Sequence, residues 1–131
     1  MIFVNGGAPN QRKYAESMAL YVCRKFDIEP VIEISFKSMS NDENYGYCCQ
    51  LDDNEYEIEI KRSLRMRDML TTLAHELVHV KQYFKGEFKD ESHIEYWDRE
   101  AEIEAHGREI GLFVRWCEKE KLSHHTWAQT N

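Results

Sequence analysis

Between Glu55 and Phe84 the hydrophobic period changes from two residues to about 3.6, and this change decides the fold class. Tyr56, Ile58 and Ile60 alternate with Glu55, Glu57 and Glu59, the pattern of a strand with one buried face. Met66, Leu70, Leu73, Leu77, Val80 and Phe84 then recur at helical spacing, from about residue 63 to Gly86, a residue suited to ending a helix. A half-buried strand running straight into an amphipathic helix needs a sheet with a helix laid upon it. The expected class is therefore α+β.

The flanking segments extend this reading. Asn5-Gly6-Gly7-Ala8-Pro9-Asn10 reads as a turn, with Asn10 as the N-cap of a helix through about Phe26 that carries Tyr14, Met18, Val22 and Phe26 on one side. Beyond Pro30, Ile32, Ile34 and Phe36 alternate with Glu33 and Ser35. Residues 38–44 are rich in turn formers, residues 45–50 form a compact aromatic segment, and Asp52-Asp53-Asn54 turns again. Strands joined in this order predict a small three-stranded antiparallel meander, in which the strand at residues 56–60 is the free edge for pairing with an extended peptide. A third helix, from about Tyr96 to about Lys121, is expected from Ile103, Gly107, Ile110, Val114 and Cys117 in register. Residues 123–131 lack a period and read as a flexible tail. No linker or repeat interrupts the 131 residues, so a single domain over 1–131 is expected.

Seventeen Lys and Arg against 24 Asp and Glu leave a net charge of -7, which argues against nucleic acid as a partner because phosphate binding needs concentrated positive charge. The run Ile2-Phe3-Val4 is too short for a signal core or a membrane span, so a cytosolic protein without a membrane partner is expected. Cys23, Cys48, Cys49 and Cys117 contain no C-x-x-C pair, which excludes a zinc ribbon. Reduced thiols filling apolar space are expected instead.

His75-Glu76-Leu77-Val78-His79 is an H-E-x-x-H pattern in the middle of the second helix. Residues i and i+4 lie one turn apart on one face, so both imidazoles can reach a single Zn²⁺. Glu76 lies about 100° around the helix, beside the metal, where a general base belongs. A catalytic zinc site needs a third protein ligand. The positions that would extend the motif to a third histidine in metzincin fashion are Gln82 and Lys85, so the ligand must come from later in the chain. Glu100, Glu102 and Glu104 alternate on the third helix. Glu100 and Glu102 flank opposite sides of the Ile103, Gly107 and Ile110 stripe, whereas Glu104 points further toward solvent, so periodicity leaves Glu100 and Glu102 unresolved.

His75 to His79 followed by Glu102-Ile103-Glu104-Ala105 resembles the gluzincin metallopeptidases, whose third ligand is a glutamate on a following helix. The resemblance implies Glu102 as that ligand, and it puts His106 where such proteins often carry an aspartate or asparagine. The layout also resembles the minigluzincins and the SprT-like proteins, including phage-encoded ones; a third histidine in SprT-like proteins keeps His93 and His106 as alternatives. By this likeness the fold is zincin-like, with an N-terminal helix, the meander, the H-E-x-x-H helix and a ligand helix. The implied activity is zinc-dependent hydrolysis of peptide bonds in a peptide or protein substrate, with water activated by zinc and by Glu76. The competing expectation is a zinc-containing module that binds peptides without cleaving them.

Overall fold

In the computed structural model, which describes residues 1–39 and 44–129, the alternating segments pair into one sheet and the helical-period segments pack upon it. In chain order the elements are β1 (Ile2–Asn5), α1 (Pro9–Phe26), β2 (Val31–Lys37), β3 (Gly46–Asp52), β4 (Glu55–Lys61), α2 (Met66–Phe84) and α3 (Glu100–Lys119). Single 3-10 turns occur at Tyr96–Asp98 and Thr126–Ala128. The fold is α+β as expected.

The sheet is mixed, not an antiparallel meander. Its order is β1-β2-β4-β3, with β1 parallel to β2, β2 parallel to β4, and only β3 antiparallel to β4. Burial explains the order. β2 and β4 carry the strongest apolar alternation, and Ile32, Ile34, Phe36, Tyr56, Ile58 and Ile60 are all at most 5% exposed beneath the helices. β3 is largely exposed along its length, so it is driven to an edge, and β4 takes the central place beside β2. The short run at Ile2–Asn5 becomes the other edge, joined to β2 through α1. The strand at residues 56–60 is consequently interior, and among the described strands β3 is the edge strand beside α2. Of the turn-rich stretch expected over residues 38–44, residues 40–43 lie outside the described residues.

α1 begins two residues earlier than Asn10 would have set it. Ala8 is the N-cap and Pro9 the first helical residue, where a fixed φ and a missing N–H cost nothing. Gly6 precedes it at φ +77, and a Cβ there would lie 2.9 Å from the Phe36 carbonyl oxygen, so the β1–α1 turn requires glycine on two counts.

From Met69 to Gln82 every residue of α2 except Thr72 is buried, because the sheet and α1 cover one side and α3 the other. α3 differs from expectation at both its start and its face. Arg99 is extended (φ -72, ψ 126), so Tyr96–Asp98 forms a separate turn before the helix. The inward face is Ala101, Ala105, Leu112, Phe113, Trp116 and Cys117, while Ile103 and Ile110 of the expected stripe are 56% and 44% exposed. Small Ala101 and Ala105 let α3 approach α2 closely, and they hold the contact in place of the larger isoleucines. The stretch read as a flexible tail is docked as far as Gln129, beyond which the residues are not described: Trp127 packs against Tyr14 and Phe113 at ring-centre distances of 5.8 and 6.4 Å, Ala128 is buried, and Arg67 donates to the Gln129 carbonyl.

Candidate metal centre

The rotation of α3 about the Ala101 and Ala105 contact determines which carboxylates meet α2. At 100° per residue, Glu102 lies on one side of that contact and Glu104 on the other, while Glu102, His106 and Glu109 share a face. The side chains follow this geometry. The Glu102 carboxylate lies 2.9 Å from His75 Nε2 and 3.1 Å from His79 Nε2, and the three residues form a cluster with donor atoms within 4.8 Å of one another. Three of the sequence-predicted site residues therefore converge. Glu100 is instead on the surface, paired with Lys89 at 2.6 Å, and His93 is exposed and outside both metal-competent clusters among the described residues.

The expectation that Glu104 points to solvent is corrected: its carboxylate pairs with Lys81 at 2.7 Å and accepts from Gln82 Nε2 at 3.0 Å. Lys81 is only 7% exposed, so its ammonium needs this partner and the second one it finds in Glu87. Gln82, fixed by Glu104 and by the Ala101 carbonyl, presents Oε1 2.8 Å from His79 Nδ1. Glu109 does the same for His75, with Oε1 3.1 Å from Nδ1. Each histidine thus donates its Nδ1 proton to an oriented oxygen and turns Nε2 toward Glu102, the arrangement that fixes tautomer and ring direction at metal sites. Gln82 and Glu109 were not singled out from sequence. The signals were the i+3 spacing from His79 and the i+7 spacing from Glu102.

Charge follows the contacts. Burial alone would lower His75, but hydrogen bonds to Glu102 and Glu109 outweigh it and push the imidazole up to about 9; His79 is raised by the same balance through Glu102 and Gln82. Burial would raise Glu102, yet hydrogen bonds from the two imidazoles, joined by one from Tyr96, hold it well below the usual carboxylate range. The donor set fits a metal cation: imidazole nitrogens and a carboxylate oxygen are common metal ligands, and here they lie 2.9 and 3.1 Å apart.

Glu76 occupies a different environment. It is 7% exposed, and it lines a cleft of about 430 Å³ together with Thr72, His75, Tyr96 and Glu109. Burial raises its affinity for a proton, opposed by the neighbouring His75 and His79 charges. Cys48 of β3 faces it, and burial followed by the Glu76 charge pushes that thiol well up.

Tyr96 comes back over the site because Arg99 interrupts the helix. Its hydroxyl donates to Glu102 Oε1 at 2.9 Å and lies 2.9 Å from His106 Nε2; His106 Nδ1 lies 2.8 Å from Glu109. His106 therefore belongs to a network behind Glu102, and with His75 and Glu109 it forms a second cluster of metal-competent geometry. Arg99 is held by the Ile94 and Ser92 carbonyls, and Tyr83 stacks on Phe88. The tail histidines His124 and His125 belong to neither cluster. No helix among the described residues is long and apolar enough to cross a membrane. His75, His79 and Glu102 together can hold a metal ion, and no protein-family model, curated protein or solved structure matches the chain.

Proposed function

We propose that the chain is a zinc-dependent metallopeptidase of gluzincin type on a zincin-like fold, with His75, His79 and Glu102 as zinc ligands and Glu76 as general base. The observation that carries the reading is the Glu76 carboxylate: on a residue only 7% exposed, raised in proton affinity by burial, and lining a cleft beside three converging donors. Zinc, when bound, supplies Lewis acidity to the scissile carbonyl and to the attacking water. Glu76 accepts the water's proton and returns it to the leaving amine, a task for which a carboxylate of raised pKa is suited. Glu109 and Gln82 hold the two imidazoles in the tautomer that offers Nε2. The outer edge of β3 is where an extended peptide or protein substrate pairs, in place of the interior strand β4. The four thiols are unpaired, in keeping with action in the reducing cytosol.

Metal analysis combined with peptide hydrolysis tests this. One zinc per chain and measurable cleavage are expected, with Glu76→Gln keeping zinc but losing several orders of magnitude in turnover, because an amide cannot accept the proton. Bound zinc with no cleavage across a broad peptide library would favour the peptide-binding module instead.

A further inference from the structure

The cleft beside Glu76 has a composition that the hydrolytic reading does not by itself require. Among the described residues that line it there is no lysine or arginine, whereas there are two carboxylates, Glu76 and Glu109. Glu109 takes both of its contacts, from His75 and His106, on Oε1, and neither partner is a lysine or arginine. Its second oxygen is left for something else.

The walls are aromatic. Trp97 is 70% exposed in a 3-10 turn that has no buried residue, so packing does not demand an indole there. Its ring lies 4.8 Å from that of His106, at the lip of the cleft. Tyr45, which also lines the cleft, is 48% exposed just before β3. Gly46 brings this end of β3 against α2, since a Cβ there would lie 2.9 Å from Thr72 Cγ2 and 3.0 Å from the Glu59 carbonyl oxygen. The Lys61 ammonium stands 6.0 Å from the Tyr45 ring centre without lining the cleft, so one wall already accepts a cation.

We propose that this cleft is a recognition pocket for a cationic side chain, arginine or lysine, of a peptide substrate, with Tyr45 and Trp97 as walls and Glu109 as the anionic floor. The proposal rests on the metallopeptidase reading and names its substrate class. An alkyl stem lies along the two rings, the cationic head meets their faces, and the free Glu109 oxygen accepts a charge-assisted hydrogen bond. An acidic side chain is repelled by Glu76 and Glu109. A purely apolar one strips water from both carboxylates and returns nothing.

The test uses zinc-loaded protein and two readouts. The first is cleavage of quenched peptides that differ only in arginine or citrulline, its neutral near-isostere, beside the scissile bond. The second is binding of N-acetyl-arginine amide against N-acetyl-citrulline amide, followed by NMR titration. We expect about a tenfold preference for arginine in both, falling below about threefold in Trp97→Ala while its zinc content stays at wild type. Equal binding of the two amides overturns the pocket, and so does tighter binding of the corresponding phenylalanine amide, while cleavage of any peptide leaves the hydrolytic reading standing. A preserved binding preference with no cleavage supports the pocket and removes the hydrolytic reading. A full tenfold preference retained by Trp97→Ala overturns the assignment of that wall.

Discussion

Metal-free protein should lose stability as the solution turns from mildly acidic to mildly alkaline, the reverse of what carboxylate pairing alone gives. His75 is the cause. Its imidazole is 8% exposed and its pKa is raised from 6.5 to about 9 through Glu102 and Glu109. A group whose folded pKa lies above its unfolded value contributes stability that is complete below the unfolded pKa and disappears as pH rises through the folded one. With these two values the His75 contribution falls by about 2 kcal/mol between about pH 5.5 and pH 8. His79 and Glu76, both raised, act in the same direction. With zinc present the sign reverses, because the metal requires deprotonated imidazoles and binds more tightly as pH rises. Urea titrations followed by tryptophan fluorescence, in chelator and in excess zinc, should therefore give stability curves of opposite slope. Metal-free stability that is flat or rises over this interval would refute the argument, since it would mean that the Glu102 and Glu109 contacts do not hold His75 protonated.

Two further outcomes follow from named contacts. Glu109→Ala removes the oxygen that orients His75 Nδ1 and should weaken zinc binding about 10- to 100-fold, read by competition with a chromogenic chelator; unchanged affinity would show that Glu109 does not fix the ring. Ending the chain at Leu122 removes Trp127 from Tyr14 and Phe113, together with the bond from Arg67 to the Gln129 carbonyl. Denaturant unfolding should record a loss of about 2 kcal/mol, with turnover per folded molecule unchanged.

The H-E-x-x-H residues were legible because a single helix fixes their mutual geometry: i, i+1 and i+4 need no knowledge of the rest of the fold. Glu102 was reached through a resemblance, since periodicity could not separate it from Glu100. The misreading of α3 has a physical source. Large apolar residues were taken to mark the inside, but the inside of α3 near the site is set by Ala101 and Ala105, with polar Glu102, His106 and Glu109 turned toward the histidines and Ile103 and Ile110 turned to solvent. Glu104 was misplaced for the same reason, because its attraction to a buried Lys81 is a tertiary fact invisible along one helix. The sheet order failed at β3, whose weak burial only becomes decisive once four strands compete for two central places.

The alanine contact between α2 and α3 makes the donor cluster a gauge of how the two helices are docked. His75 and His79 ride on one rigid rod and Glu102 on another, so an ion held by all three is a cross-link whose strength depends on helix spacing. Thermodynamic reciprocity then couples affinity and cohesion: whatever loosens the interface weakens the ion, and an ion present at about a thousand times its dissociation constant tightens the interface by about 4 kcal/mol. A bulky residue at Ala105, far too buried to touch substrate, would be felt first as a change in metal affinity.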